Sequence, residues 1–262
     1  MVREVRDKLR VAFVGKGGSG KSAIAGTFAR ALARRGEPVL TIDSDPMPGL
    51  AFSLGLERSD TPLPEDLVVE RKEGETGPRW RLRPGLSAID VVEQYSLTGP
   101  DGVRFLQFGK LRGHSATMMK SQFAFMQVID QLPTEMPWSV VGDLPGGTRQ
   151  PFAGWGDYAD VFLAVIEPMA KSMLAGRRLA RLAARAEGPR TVLAVANKVR
   201  DEADASVVEQ RTGLRVVGAV PFDESFAEAE RQSAAPIDRA PDSLAVRAVE
   251  SLVSQLIEER QR

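Results

Sequence analysis

The segment Gly15-Lys16-Gly17-Gly18-Ser19-Gly20-Lys21-Ser22 constrains this chain more than any other. It satisfies G-x-x-x-x-G-K-[ST], a pattern that needs a strand before it and a helix after it. Val11-Ala12-Phe13-Val14 is the apolar run expected of the strand, and Ile24, Phe28 and Leu32 fall on one face of the expected helix. Ala25, Ala29 and Ala31 let that helix pack closely. Arg34 and Arg35 in the last turn suit the helix dipole, and Gly36 is placed to follow the C-terminus. In this setting glycines let backbone amides turn toward phosphate oxygens, and the helix start adds a positive dipole end. The segment Gly15 to Ala23 is therefore expected to cradle ATP. Lys21 would neutralise the β- and γ-phosphates, and the Ser22 hydroxyl would ligate Mg2+.

A rival reading uses the same glycines. Gly15, Gly17 and Gly20 also fit G-x-G-x-x-G, and Asp43 follows about 20 residues on, as a dinucleotide site would require. The Lys21-Ser22 pair has no role in that site, and Asp43 is followed by a second acid in the turn Ser44-Asp45-Pro46. Both features favour the phosphate loop of a nucleoside triphosphate site.

Further apolar runs punctuate the chain: Val39–Ile42, Trp138–Val141, Val161–Ile166, Thr191–Val195 and Val216–Val220. Continuous runs of this length suit strands buried on both faces. With helical stretches between them they imply an α/β fold, a mostly parallel twisted sheet with helices on both faces. A single domain over 1–262 is expected, with an irregular, Pro- and Gly-punctuated insertion at about 59–120. Within it, Leu67–Arg71 and Arg79–Arg83 could form a small hairpin or an added sheet strand. Leu244, Val249, Leu252 and Leu256 have helical spacing. Glu250, Glu258 and Glu259 are wrong for an anionic membrane surface, so this terminal helix is expected to pack on the core.

Composition removes whole classes of function. The 262 residues carry 35 Lys and Arg against 35 Asp and Glu, so no global charge demands a nucleic-acid or membrane partner. There is no cysteine, which excludes disulfides, thiolate-held iron–sulfur clusters and cysteine-based zinc or nickel sites within the chain. The charged start, Met1 to Arg10, lacks a signal-peptide apolar core, and no stretch approaches the roughly 18 apolar residues of a membrane span. A cytoplasmic location is the expectation.

Lys16 is the unusual residue. A phosphate loop does not need a lysine after its first glycine. Solvent exposure explains one, and so does a charge aimed at a nucleotide in a partner subunit. The pattern Lys16-Gly17-Gly18-Ser19-Gly20-Lys21-Ser22 resembles the deviant Walker A of the MinD/ParA-type ATPases, and the resemblance extends over nearly the whole chain. Ile42-Asp43-Ser44-Asp45-Pro46 resembles that family's switch I. By this resemblance Asp45 orients the attacking water and Asp43 sits near the magnesium shell. Asp143 in Val140-Val141-Gly142-Asp143-Leu144-Pro145-Gly146-Gly147 takes the place of the acid that holds a magnesium-bound water, and Gly147 offers its amide to the γ-phosphate. Asn197 would read the adenine edge, with further base contacts from Pro221, Phe222 and Asp223. The resemblance implies a homodimer in the ATP state, in which Lys16 of each subunit serves the other's ATP. Lys16, Lys21 and Asp45 are then the catalytic residues.

Leu163–Pro168 with Ser172 and Gly176, Asn197–Arg200 and Pro221–Asp223 resemble one subgroup in particular, the ATPases that help insert nickel into carbon monoxide dehydrogenase. That subgroup carries a C-x-C metal pair where this chain reads Gly113-His114-Ser115-Ala116-Thr117-Met118-Met119-Lys120. The thiolates are missing, and His114 with Met118 and Met119 is a poor nickel or zinc set. The missing cysteines also exclude the nitrogenase iron-protein and iron–sulfur scaffold types. The resemblance implies slow ATP hydrolysis coupled to maturation or assembly of a client enzyme. The alternative is a spatial-organisation ATPase acting on DNA or a membrane surface, for which Arg177, Arg178, Arg181 and Arg185 form a candidate patch. A third class is a nucleotide-binding regulator with little turnover.

Overall fold

The computed structural model describes residues 8–45, 49–57, 61–109, 115–133, 136–186 and 191–260, leaving the side chains of 115–118 aside. The apolar runs form the expected strands: β1 (Arg10–Gly15), β2 (Val39–Asp43), β7 (Ser139–Asp143), β8 (Val161–Ile166), β9 (Thr191–Val199) and β10 (Val216–Pro221). The Leu67 and Arg79 segments pair as an antiparallel hairpin of β3 (Val68–Glu70) and β4 (Trp80–Leu82), apart from the main sheet. Two more strands, β5 (Leu97–Thr98) and β6 (Arg104–Gln107), come from the stretch read as irregular. They complete an eight-stranded sheet of order β10-β9-β8-β1-β7-β2-β6-β5, parallel throughout except for β5 on β6. The 59–120 stretch thus contributes to the central sheet. Its strand β6 went unread because it is short and carries Arg104 and Gln107 at its ends.

Alternate residues of β1 face opposite layers, as the strand period dictates. Val11 and Phe13 join one apolar layer with α1 (Lys21–Ala33), α2 (Leu50–Leu54), α8 (Pro236–Arg239) and α9 (Leu244–Arg260). Ala12 and Val14 join the other with α3 (Ala88–Tyr95), α4 (Ser115–Asp130), α5 (Ala170–Ala183) and α6 (Ala203–Thr212). The remaining helix, α7 (Glu224–Arg231), buries Phe226 in the first layer. The terminal helix does pack on the core: Val246, Val249, Leu252, Val253 and Leu256 are buried, while Leu244 is exposed. Gly36 adopts the left-handed φ of 84°, one residue later than a C′ position, because Arg34 is the cap.

The chain leaves β1 in one direction, toward β7 and β2, and returns to β8 on its other side. β1 is therefore the topological switch point, and its carboxyl end opens on the crevice where open α/β sheets bind ligands. The loop Gly15–Gly20 lies there.

Candidate nucleotide-binding site

The loop owes its shape to glycines at three left-handed positions, Gly15 (φ 145°), Gly18 (φ 79°) and Gly20 (φ 90°). Gly20 matters most: a Cβ there would lie 2.5 Å from the Asn197 amide nitrogen. Beside Gly17 and Gly18 a Cβ would meet nothing within 4 Å, so space for a ligand lies open over them. The helix α1 starts directly after, with Gly20 as its cap and no side chain satisfying its first amides. Those amides are the donors an anion would take.

The two lysines differ. Lys21 is buried and close enough to Asp143 to draw that carboxyl's pKa down. Lys16 is exposed at the tip of the loop and, among the described residues, has no ion pair or side-chain hydrogen bond.

β2 and β7 are neighbours in the sheet, with Asp43 beside Asp143 in register. The Ser22 hydroxyl donates to Asp143 Oδ2 at 2.5 Å. The other oxygen, Oδ1, is buried with no partner, as is the Ser19 hydroxyl. Burial pushes the Asp143 carboxyl up to about 6, opposed by Lys21 and the Ser22 hydrogen bond. Asp43 is likewise held above the usual carboxylate range, first by burial and then by the charge on Asp143. Its own oxygens accept from the backbone amides of Asp45 (3.0 Å) and Leu50 (3.1 Å), which braces the backbone at Asp45 and at the start of α2. Asp45 itself is half-buried and interacts with its surroundings.

A hydroxyl and an orphaned carboxylate oxygen side by side are hard donors of the kind Mg2+ takes, and they fit it. Among the described residues no cluster of three His, Cys, Asp or Glu side chains could cage a metal alone. Phosphate oxygens and water would therefore have to complete the shell. His114 lies outside the described residues, as does the Met118 side chain; Met119 is exposed on α4.

Gly147 returns to the loop after Asp143. Its amide donates to the Gly15 carbonyl at 3.1 Å; its φ of 150° is one that side chains rarely adopt, and a Cβ there would press on the end of the Gln150 side chain. Asn197 sits behind the loop at the end of β9, buried, and donates its amide to the Ser19 carbonyl at 2.7 Å. Pro221 closes β10. Phe222 is half exposed, with the Arg200 guanidinium 4.2 Å from its ring centre. Asp223 caps α7 by accepting from the Phe226 amide, so its carboxylate is spent locally.

Two residues of the site were not read from the sequence. Lys198, at a left-handed φ of 57°, donates to the Gly18 carbonyl at 3.3 Å and pairs with Glu167 at 2.6 Å. The signal was a charged residue ending an apolar strand. Tyr158 is fully buried beneath β7, where a Cβ on Gly142 would overlap its hydroxyl. That hydroxyl faces Ser44 and is pushed far up by burial and by Asp143. Gly142, a glycine inside a buried strand, was the signal for the close approach.

Comparison with known proteins agrees with the geometry. Residues 11–237 match the family model described as the CobQ/CobB/MinD/ParA nucleotide binding domain. An uncharacterised ATP-binding protein of Methanocaldococcus jannaschii is 28% identical over 95% of this chain and 98% of its own. The carbon monoxide dehydrogenase accessory protein CooC of Rhodospirillum rubrum is 28% identical over 89% of this chain and 91% of its own. The fold is shared with the septum site-determining protein MinD of Pyrococcus horikoshii, solved with Mg-ADP: TM-score 0.71, 17% identity, 95% of this chain and 96% of that one. This chain belongs to the CobQ/CobB/MinD/ParA nucleotide-binding-domain family and is a P-loop ATPase.

Proposed function

We propose that the protein is an ATP-dependent dimerising switch that hydrolyses ATP to ADP and phosphate in the service of a client protein's maturation or assembly. The observation that carries the dimer is the contrast between the lysines. Lys21 is buried against the phosphate cradle; Lys16 stands exposed with no partner among the described residues. A cation so placed can stabilise charge on a phosphoryl group held by a second copy of the chain.

In this mechanism the loop amides of Gly15–Ala23 and Lys21 hold the phosphates. Mg2+, when bound through Ser22 and Asp143, would neutralise charge on the β- and γ-oxygens. Asp45, its backbone braced by Asp43, orients the attacking water. The Gly147 amide leaves the Gly15 carbonyl for the γ-phosphate, exchanging a neutral hydrogen bond for a charge-assisted one. Loss of that phosphate on hydrolysis returns the amide to Gly15 and loosens the dimer. The adenine would lie toward Asn197, Pro221 and Phe222, where Asn197 still has its carbonyl oxygen for the base.

The accessory role is supported by the likeness to CooC along most of both chains. The cysteine-free sequence offers no thiolate ligand, so the client role is proposed without metal handling. The second reading, action on DNA or a membrane surface, draws on the arginines of α5. In the described residues no helix is long and apolar enough to cross a membrane.

The test is ATPase rate and solution mass in ATP and ADP for the wild type and for Lys16→Ala, Lys21→Ala and Asp45→Ala. Lys21→Ala should lose nucleotide binding, and Asp45→Ala should dimerise in ATP without turning over. Normal hydrolysis by Asp45→Ala would remove it as the water-positioning group. A Lys16→Ala that dimerises and turns over like wild type would remove the shared-site reading.

A further inference from the structure

We infer that the solvent face of α5 is a docking surface for an acidic, amphipathic helical segment of a partner protein. From Ala170 to Ala186 the chain has no acidic residue and carries Lys171, Arg177, Arg178, Arg181 and Arg185. All five are exposed, and none forms an ion pair or side-chain hydrogen bond with the described residues. Several other surface arginines are paired, Arg231 with Glu224 and Glu228, Arg215 with Glu259 and Arg247 with Asp242; Arg149 and Arg211 are exposed without an ion pair among the described residues, but each stands alone on its element. In a chain of zero formal charge, an unneutralised run on one helix is a local feature.

The spacing makes the run a stripe. Lys171, Leu174, Arg178, Arg181 and Arg185 recur at three- and four-residue steps, opposite the buried Ser172, Gly176 and Leu179. Two apolar side chains lie exposed with them: Leu174 at 50% and, just before the helix, Met169 at 64%. Met and Arg are the residue types enriched in protein interfaces, and an apolar anchor flanked by arginines is complementary to an acidic helix bearing apolar side chains.

Duplex DNA fits this surface less well. α6 packs directly beside α5 and, with the turn before it, exposes Asp201, Glu202 and Glu209. Packed helices lie about 10 Å apart, so a duplex centred on α5 would bring phosphates over those carboxylates. A single helix, about 10 Å across, can lie along α5 alone. Leu174 and Met169 also have no counterpart on a phosphate backbone.

That the segment belongs to a client rests on the accessory-ATPase reading; the surface itself does not. The probe is a labelled amphipathic peptide of about 20 residues with Glu and Leu repeating at helical spacing. It is compared by anisotropy with the same peptide carrying Ser for Leu, and with a duplex oligonucleotide. Wild type should bind the Leu peptide most tightly. The double variant Arg178→Glu/Arg181→Glu should weaken it at least about tenfold while keeping wild-type ATP affinity, and Leu174→Ser should weaken it too. Absent peptide binding, binding unchanged in the double variant, equal binding of the Ser peptide, or a duplex bound more tightly and lost in the double variant each overturns the assignment. Lys21→Ala should retain the peptide, which separates failure of the surface from failure of the ATPase reading.

Discussion

Asn197 ends β9 with its amide nitrogen on the Ser19 carbonyl, so it braces the loop whatever base is bound. Asn197→Asp would set a carboxylate against that carbonyl while keeping an acceptor toward the base. ATP affinity should then fall at least about tenfold, the scale of one lost hydrogen bond; unchanged affinity by calorimetry would show that the brace carries nothing. At this scale the phosphate loop was legible because its glycine and lysine spacing is local. Asp43, Asp143 and Gly147 were singled out by the family resemblance, and the fold sets Asp43 beside Asp143 and Gly147 on the loop. Lys198 and Tyr158 escaped because their roles come from contacts with Gly18 and Gly142, which only the fold brings near. The same holds for Arg30. It is almost wholly buried and bonds Asp101, Asp238 and the Leu54 carbonyl, partners from three separate segments. Arg30→Ala should cost about 1–3 kcal/mol in denaturant unfolding, because it empties a buried side-chain site and strands the Leu54 carbonyl, while Arg34 still pairs with Asp101 and Asp238.

Among the elements, α1 was the best defined in advance, yet its amphipathic face understated its burial. Ile24, Phe28 and Leu32 meet the core, but Ala25, Gly26 and Ala29 are buried as well, beneath α2, α8 and α9. Gly26 is the contact point: a Cβ there would sit 2.5 Å from that of Ser53 on α2. Gly26→Ala should force the two helices apart and destabilise by about 1–3 kcal/mol, offset in part by higher helix propensity. A thermal midpoint no lower than wild type would show that α2 can shift without cost. Because Asp43 braces both the start of α2 and the backbone at Asp45, the same variant should also slow hydrolysis. The strands were legible wherever apolar runs were long. β5 and β6 were not, because two to four residues with polar ends carry no period to read.

For the whole molecule, the α/β class and the parallel sheet followed from apolar runs alternating with helical stretches, whereas the switch point at β1 emerged only with the strand order. Charge balance was a poorer guide, since a formal charge of zero conceals the unneutralised face of α5. Client binding, DNA binding and dimerisation all depend on surfaces, which sequence periodicity does not describe. The central claim is that each ATP is served by the other subunit's Lys16. Mixing inactive Lys16→Ala and Asp45→Ala proteins tests it directly. A mixed dimer has one complete site: the Lys16→Ala subunit keeps Asp45 and receives Lys16 from its partner. The account predicts recovery of about a quarter of the wild-type ATPase rate, since half of randomly formed dimers are mixed and each has one working site. A mixture no more active than the sum of its components would contradict it.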